Sequence, residues 1–313
     1  MASQEKEQIA KVYRSLFDPE RDPILRPGYV STDFSADPAQ QAQAALKLAA
    51  RQEAYAWRPA RLSAPQRDAV ADCLRDQLEP VECAGRLKRA AMRPLPFYNS
   101  AWLVHLFAPG AAGDGTAAER VVVYQSGKQA KGKNPIPLHG ARRLTGKSAD
   151  IFAVNAAAGL KLTEPVVEEY LAFFDDHLAA DGALFLLIEH DEAAKGPYSQ
   201  LTPHAADMRD PEVAKILDPE GVRGPYVRAE IAQPITLLTF EPGERAVMIA
   251  SVAFRNFAFR AAFGVSAQGF VDMLDDTPVE QAALTEVTHG WLPKPEPAPP
   301  PNRPAPPPAD DAP

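Results

Sequence analysis

The hydrophobic period of this chain changes near residue 100, and that change limits the fold more than any single residue does. Before it, apolar residues recur at helical spacing. Ile9, Val12, Tyr13, Leu16 and Phe17 fall on one face and predict an amphipathic helix over 3–17. Residues 18–37 are broken by Pro19, Pro23, Pro27 and Gly28 and read as a loop. Asp37-Pro38 is a helix start, a capping oxygen followed by a residue suited to the first helical position. The Ala/Gln/Leu-rich run after it is expected to be helical to about Trp57. Ser63-Ala-Pro65 repeats the signal ahead of Val70, Cys73, Leu74 and Leu78, and a short helix is expected over 82–92.

After residue 100 the runs become strand-sized. Residues 101–107 and 120–124 predict an antiparallel pair with a long connection. Residues 150–154 read as a strand. Thr163-Glu-Pro165 opens a long helix whose wide apolar face is Val166, Val167, Tyr170, Leu171, Phe173, Phe174 and Leu178, stopped by Asp181-Gly182. Residues 183–188 are continuously apolar, as in a strand covered on both faces. This strand-helix-strand unit suits either a parallel crossover or an antiparallel arrangement. Residues 190–225 are polar and broken, with one helical turn at 211–217. Strands follow at 235–240, 245–254 and 257–265, the first two joined by the hairpin signal Glu241-Pro-Gly-Glu244. An edge strand at 269–274 and a short helix at 278–284 are expected next. From Pro293 onward 11 of 21 residues are proline, so that tail cannot contribute to a core.

The reading is an α+β protein: a helical N-terminal region over 1–92, a mixed or antiparallel sheet over 93–290 with one long helix packed on it, and a proline-rich tail over 291–313. A doubly wound fold needs repeated alternation of strand and helix, and the chain shows one clear unit.

The charge pattern is the nearest thing to a functional signal. Between Arg120 and Ala149 stand Arg120, Lys128, Lys131, Lys133, Arg142, Arg143 and Lys147, with no carboxylate. The whole chain is −8, so the remainder holds −15. A basic block in an acidic molecule attracts anions. Gly127, Gly132, Pro135, Pro137, Gly140 and Gly146 punctuate it and predict a loop. Lys128, Lys131, Lys133, Arg142, Arg143 and Lys147 are the candidate anion-binding residues, for an acidic protein or a small anionic ligand. A solvated loop whose charges only aid solubility has the same composition. The overall acidity argues against nucleic acid, which is held mainly by phosphate neutralisation.

Gly140-Ala-Arg-Arg-Leu-Thr-Gly146-Lys147-Ser148 approaches a nucleotide phosphate loop. Five residues separate its glycines where that loop has four, and a strand is expected where that loop opens a helix. Glu189-His190-Asp191-Glu192 is a cluster of ligand-type residues, with His177 and His204 as conceivable partners, but neighbouring strand residues point to opposite faces. No metal site is assigned and no cofactor is implied. Cys73 and Cys83 are too few for a disulfide framework and form no CxxC pair. No GxSxG elbow occurs, and His105 reads as a structural or surface residue. Asp175-Asp176 and Asp275-Asp276 read as solvated pairs. Phe254, Phe257, Phe259 and Phe263, with Arg255 and Arg260 between them, read as core rather than as a stacking platform. The N-terminus has no secretory h-region, and no apolar run reaches the roughly 18 residues that cross a bilayer, so a cytoplasmic protein without a transmembrane segment is expected. The wealth of Ala, Arg and Pro suggests a bacterial source.

Val154-Asn155, Tyr170-Leu-Ala-Phe-Phe174, Gly182-Ala-Leu-Phe-Leu-Leu-Ile-Glu189 and Gly269-Phe-Val-Asp-Met273 resemble a group of uncharacterised bacterial proteins of alphaproteobacterial type. Many of that group carry Cys after the second Phe, where this chain has Asp175. The resemblance implies one continuous α+β domain and no known activity. These features together point to a non-catalytic binding or interaction module, with a basic loop for an anionic partner and a tail that suits a protein partner. The competing reading is an enzyme acting on a phosphorylated or carboxylated small molecule near residues 142–147 and 189–192.

Overall fold

The computed structural model describes residues 46–47, 50–51, 53–106, 119–125, 139–180, 183–187, 198–200, 226–228, 235–254 and 257–280. They form an α+β fold in which every strand pairing is antiparallel. The first sheet is a meander of β1 (Arg58–Pro59), β2 (Ala91–Pro94), β3 (Ala101–Leu106), β4 (Glu119–Gln125) and β5 (His139–Leu144), in that order. Helices α1 (Ala64–Cys73) and α2 (Pro80–Leu87) lie in the connection from β1 to β2.

Helix α1 begins where Ser63 signals it. Gln66 Oε1 accepts from the Ser63 N–H at 2.8 Å and from Ser63 Oγ at 3.0 Å, which fixes the turn before Pro65. The boundary expected at residue 92 falls inside β2, and 88–92, expected to be helical, instead turn into that strand. The reason is tertiary: Ala91 pairs with His105 and Met92 with Val104, and pairing outweighs weak local helix preference.

Residues 148–158 form helix α3 (Ser148–Ala158), where the sequence suggests a strand at 150–154. Ile151, Val154, Asn155 and Ala158 are buried at the i, i+3, i+4, i+7 spacing of a helix. The two β-branched residues imitate a strand, but five alanines dominate the segment and Gly159 ends it in the left-handed conformation at φ 70°. The parallel crossover is thereby excluded. Helix α4 (Glu164–Asp175) follows, starting at Thr163 as expected but ending before Leu178, at a turn into the two-residue β6 (Ala179–Ala180).

The second sheet has the order β13 (Val271–Glu280), β12 (Phe257–Ser266), β11 (Arg245–Phe254), β7 (Ala183–Leu187) and β6. One edge of β11 is shared: β10 (Thr236–Glu241) pairs with 245–249 and β7 with 252–254. Strand β13 extends through residues 278–280, where a helix is expected; Pro278 faces Phe259 across a register shift. Proline has no N–H for the ladder and is tolerated on such an edge strand. A separate pair joins β8 (Tyr198–Gln200), within the stretch 190–225 expected to be polar and broken, to β9 (Tyr226–Arg228), just beyond it.

The layers follow from which residues are buried together. Val104, Leu106, Val121 and Val123 pack with Val70, Leu74 and Cys83 of the α1–α2 side. Leu103 and Val122, on the opposite face of the same strands, join Ile151, Val154, Tyr170 and Phe173 and also Met248, Ala250, Phe263 and Val265 of the second sheet. Helices α3 and α4 are therefore the filling between two sheets. Nine consecutive residues of α4, Val167 to Asp175, are buried, as expected of a helix enclosed on all sides. The sequence anticipates one helix packed on a sheet; two helices occupy that position. Expectations at 3–17, 18–37, 211–217, 189–192 and 281–313 lie outside the described residues.

Candidate functional site

Of the basic block, Lys128, Lys131 and Lys133 lie outside the described residues. The remainder is not a loop from 139 onward. Residues 139–144 are strand β5, the last strand of the first sheet, and Lys147 is the residue at which α3 begins. Gly140 is accounted for inside the sheet: a Cβ there would fall 2.6 Å from the ring of Tyr124, its cross-strand partner. Gly146 takes φ 84°, a left-handed turn that glycine adopts without strain.

Strand geometry separates the two arginines. Arg142 stands opposite Val122 and reaches the α3 face, where its Nε and Nη2 donate to Asp150 Oδ1 at 3.2 and 2.9 Å. Arg143 stands opposite Val121 and reaches the α1 face, where its Nε and Nη2 donate to Glu119 and its Nη1 donates to Gln77 Oε1 at 3.2 Å. Adjacent residues on a strand face opposite ways, so these two guanidiniums cannot close on one small anion from one side.

The segment does have a strand-to-helix context, contrary to the expectation from sequence. It still lacks phosphate-loop spacing, and the first turn of α3 already holds a carboxylate. Asp150 Oδ2 accepts from the Thr145 N–H at 3.1 Å and from Thr145 Oγ1 at 2.6 Å, while Oδ1 takes Arg142. A carboxylate in that turn is favoured by the helix dipole. Both internal counter-ions stand immediately outside the acid-free window, Glu119 before it and Asp150 after it. The chain folds both ends of the window back onto its own arginines. Lys147 is exposed, and among the described residues no carboxylate pairs with it.

The seventh cation, Arg120, belongs to a buried polar cluster. Its guanidinium lies 5.2 Å from the centroid of the Trp57 ring, and that of Arg93 lies 5.6 Å from the same ring. Cations over an indole face are attracted by its quadrupole. Arg120 Nη1 lies 3.2 Å from His177 Nε2, and His177 Nδ1 lies 2.7 Å from the Phe173 carbonyl. Arginine can only donate, so Nε2 accepts and Nδ1 carries the proton given to Phe173. Arg93 also sits 3.1 Å from Glu169 Oε1, without hydrogen-bond alignment. Arg51 bonds Glu168 at 3.2 Å and Glu169 at 3.3 Å. His105 is buried edge-on to Trp57 at 6.2 Å, a structural position. Nothing in the spacing of these residues signals their meeting; only the stacking of layers does.

Asp175 is a correction. It reads as a solvated partner of Asp176, yet it is 3% exposed with Oδ2 lacking a hydrogen-bond partner. Burial, and then the neighbouring Asp176, push its carboxyl well above the usual carboxylate range. Cys73 and Cys83 are free thiols, both pushed up by burial, which disfavours the reactive thiolate. Phe263 is core, as expected, and Phe254 stacks on Phe185 at 4.5 Å. Among the described residues no three His, Cys, Asp or Glu side chains are grouped to hold a metal, and no helix is long and apolar enough to cross a membrane.

Comparison with known proteins finds no matching family model, no matching curated protein and no matching solved structure. The fold and site define an α+β protein of two antiparallel sheets around a two-helix filling, with a basic edge.

Proposed function

We propose that this chain is a non-catalytic binding module that takes an acidic protein partner through the lysines of residues 128–147. The observation that carries the reading is the charge balance of the segment after folding. Seven cations lie between Arg120 and Ala149, and the two carboxylates folded onto the segment, Glu119 and Asp150, hold Arg143 and Arg142. Along the sequence these seven cations and two carboxylates leave an excess of five positive charges in a chain of net −8. On this reading Lys128, Lys131, Lys133 and Lys147 supply the binding charge, while Arg142 and Arg143 pair internally with Asp150 and Glu119. Divergence of the two arginines favours an extended acidic surface over a single phosphate. The proline-rich tail over 291–313 offers a second, separate protein contact, of the kind an aromatic groove accepts. On this reading the chain is a cytoplasmic bacterial protein akin to the uncharacterised group it resembles.

The test uses a fluorescent poly-glutamate peptide as probe, with the full chain and a variant carrying Lys128→Glu, Lys131→Glu, Lys133→Glu and Lys147→Glu. The native chain is expected to bind with an affinity that falls as salt rises. The variant is expected to bind at least about tenfold more weakly, and inorganic phosphate is expected not to compete. A native chain that ignores the peptide at low salt, or a variant with unchanged affinity, overturns the reading. Strong competition by phosphate moves the assignment to a small-anion site.

A further inference from the structure

The connection between α3 and α4, the β10–β11 hairpin and the end of β12 border a half-open cavity of about 210 Å³. Among the described residues of the basic segment, 139–147, none lines it. Its floor is apolar and buried: Val167 is 0%, Ala246 1% and Val265 1% exposed. Leu160, Leu162 and Phe240 add partly buried apolar wall. Three stretches far apart in sequence meet here, so the cavity is a product of the tertiary fold.

Its polar groups come in two signs. Arg245 is 4% exposed, and its Nε and Nη2 donate to Glu241 Oε1 at 3.1 and 2.8 Å, which fixes a buried cation beside a carboxylate in the wall. Lys161 and Glu244 are exposed residues on the lining, at its mouth. Two cations and two carboxylates balance. A purely anionic or purely cationic ligand would meet as much repulsion as attraction. A molecule bearing both charges on substituents of one carbon, with an apolar appendage, matches both the polar pairs and the floor. Sites for drug-sized ligands begin at about 300 Å³, and this volume suits a smaller metabolite.

We propose that this cavity binds a free α-amino acid with an apolar side chain. The carboxylate lies toward Lys161, the ammonium toward Glu244, and the side chain on Val167, Ala246 and Val265, beside the internal Arg245–Glu241 pair. A ligand of the native state raises the melting temperature, and more so as its concentration exceeds Kd. L-leucine and L-phenylalanine at millimolar concentration are therefore expected to raise the melting temperature of the full chain. Acetate, methylamine, L-glutamate and L-lysine, each lacking one part of the match, are expected not to. Ala267→Trp, at a half-buried lining position, is expected to abolish the shift by filling the mouth. Lys161→Glu, at an exposed position that leaves the fold intact, is expected to weaken binding at least about tenfold. Absence of any shift with either amino acid overturns the proposal. So does an equal shift with acetate or methylamine, or a shift that persists unchanged in both variants. These outcomes are independent of poly-glutamate binding, so the two proposals fail separately.

Discussion

The Tyr170 hydroxyl donates to the Gly269 carbonyl at 2.6 Å, tying the helix between the sheets to the turn between β12 and β13. Tyr170 also accepts from Asn155 Nδ2 at 2.8 Å, and Asn155 Oδ1 accepts from the Tyr98 hydroxyl at 2.6 Å. Three polar side chains and one carbonyl thus close a buried network across four parts of the chain. Their physical role here is architectural. Burial pushes the Tyr98 and Tyr170 hydroxyls far above their usual range, so both remain donors at every accessible pH.

Removing the hydroxyl with Tyr170→Phe leaves the Gly269 carbonyl and an Asn155 N–H without their partner. The expected cost is about 1–3 kcal/mol. Gly269→Ala is expected to cost more. Its φ of 81° strains any side chain, and a Cβ would overlap Tyr170 Oη and Asn155 Nδ2. Urea unfolding of both variants, read by midpoint at constant slope, checks the order.

Asp175 sets a pH dependence with a definite sign. Its carboxyl is raised in the folded state, so folding takes up a proton above the unfolded value of 3.8. Stability is fully present below that value and is lost as pH rises toward the folded value. The loss is at most about 1.4 kcal/mol per pH unit. Asp175→Asn removes this dependence while keeping the shape. The variant is expected to gain on the native chain as pH rises above 3.8, measured by thermal melts at increasing pH. A constant difference would sink the assignment.

The Asp150 carboxylate accepts four bonds from two residues, Arg142 of β5 and Thr145 of the turn before α3, whereas the side chain of Arg142 is 48% exposed. Asp150→Ala is expected to cost about 1–3 kcal/mol, since it strips charge-assisted bonds from a buried position. Arg142→Ala is expected to cost under about 1 kcal/mol. Equal costs in denaturant unfolding would show that the ion pair, and not the helix start, is what Asp150 serves.

Gly85 lies inside α2, is exposed, and a Cβ there would meet nothing within 4 Å. Gly85→Ala is expected to stabilise the protein by about 0.5–1 kcal/mol through helix propensity and a less flexible unfolded chain. A rise in melting temperature checks it.

Much of the secondary structure is legible where short-range patterns act alone. Strands 101–106, 119–125, 245–254 and 257–266 and the starts of α1 and α4 fall where the runs and caps place them. The failures share one cause. Residues 150–154 read as a strand but belong to a helix, because a short apolar run cannot be told from a buried helix segment by periodicity alone. Residues 91–94 and 278–280 became strands because partners far along the chain supplied the pairing. The candidate site was half legible. Composition marks the basic block and its limits, but not that Glu119 and Asp150, at those limits, turn back onto Arg143 and Arg142.

The sequence by itself determined the α+β character, the caps and turns, and a concentration of positive charge in an acidic chain. These depend on neighbours within a few residues or on simple sums of charge. Only the tertiary structure decided that all sheet pairings are antiparallel, that α3 and α4 fill the space between two sheets, and that Asp175 and the arginines around Trp57 are buried. Burial and ion pairing depend on which distant surfaces meet, and that follows from the packing of whole layers rather than from any local run of residues.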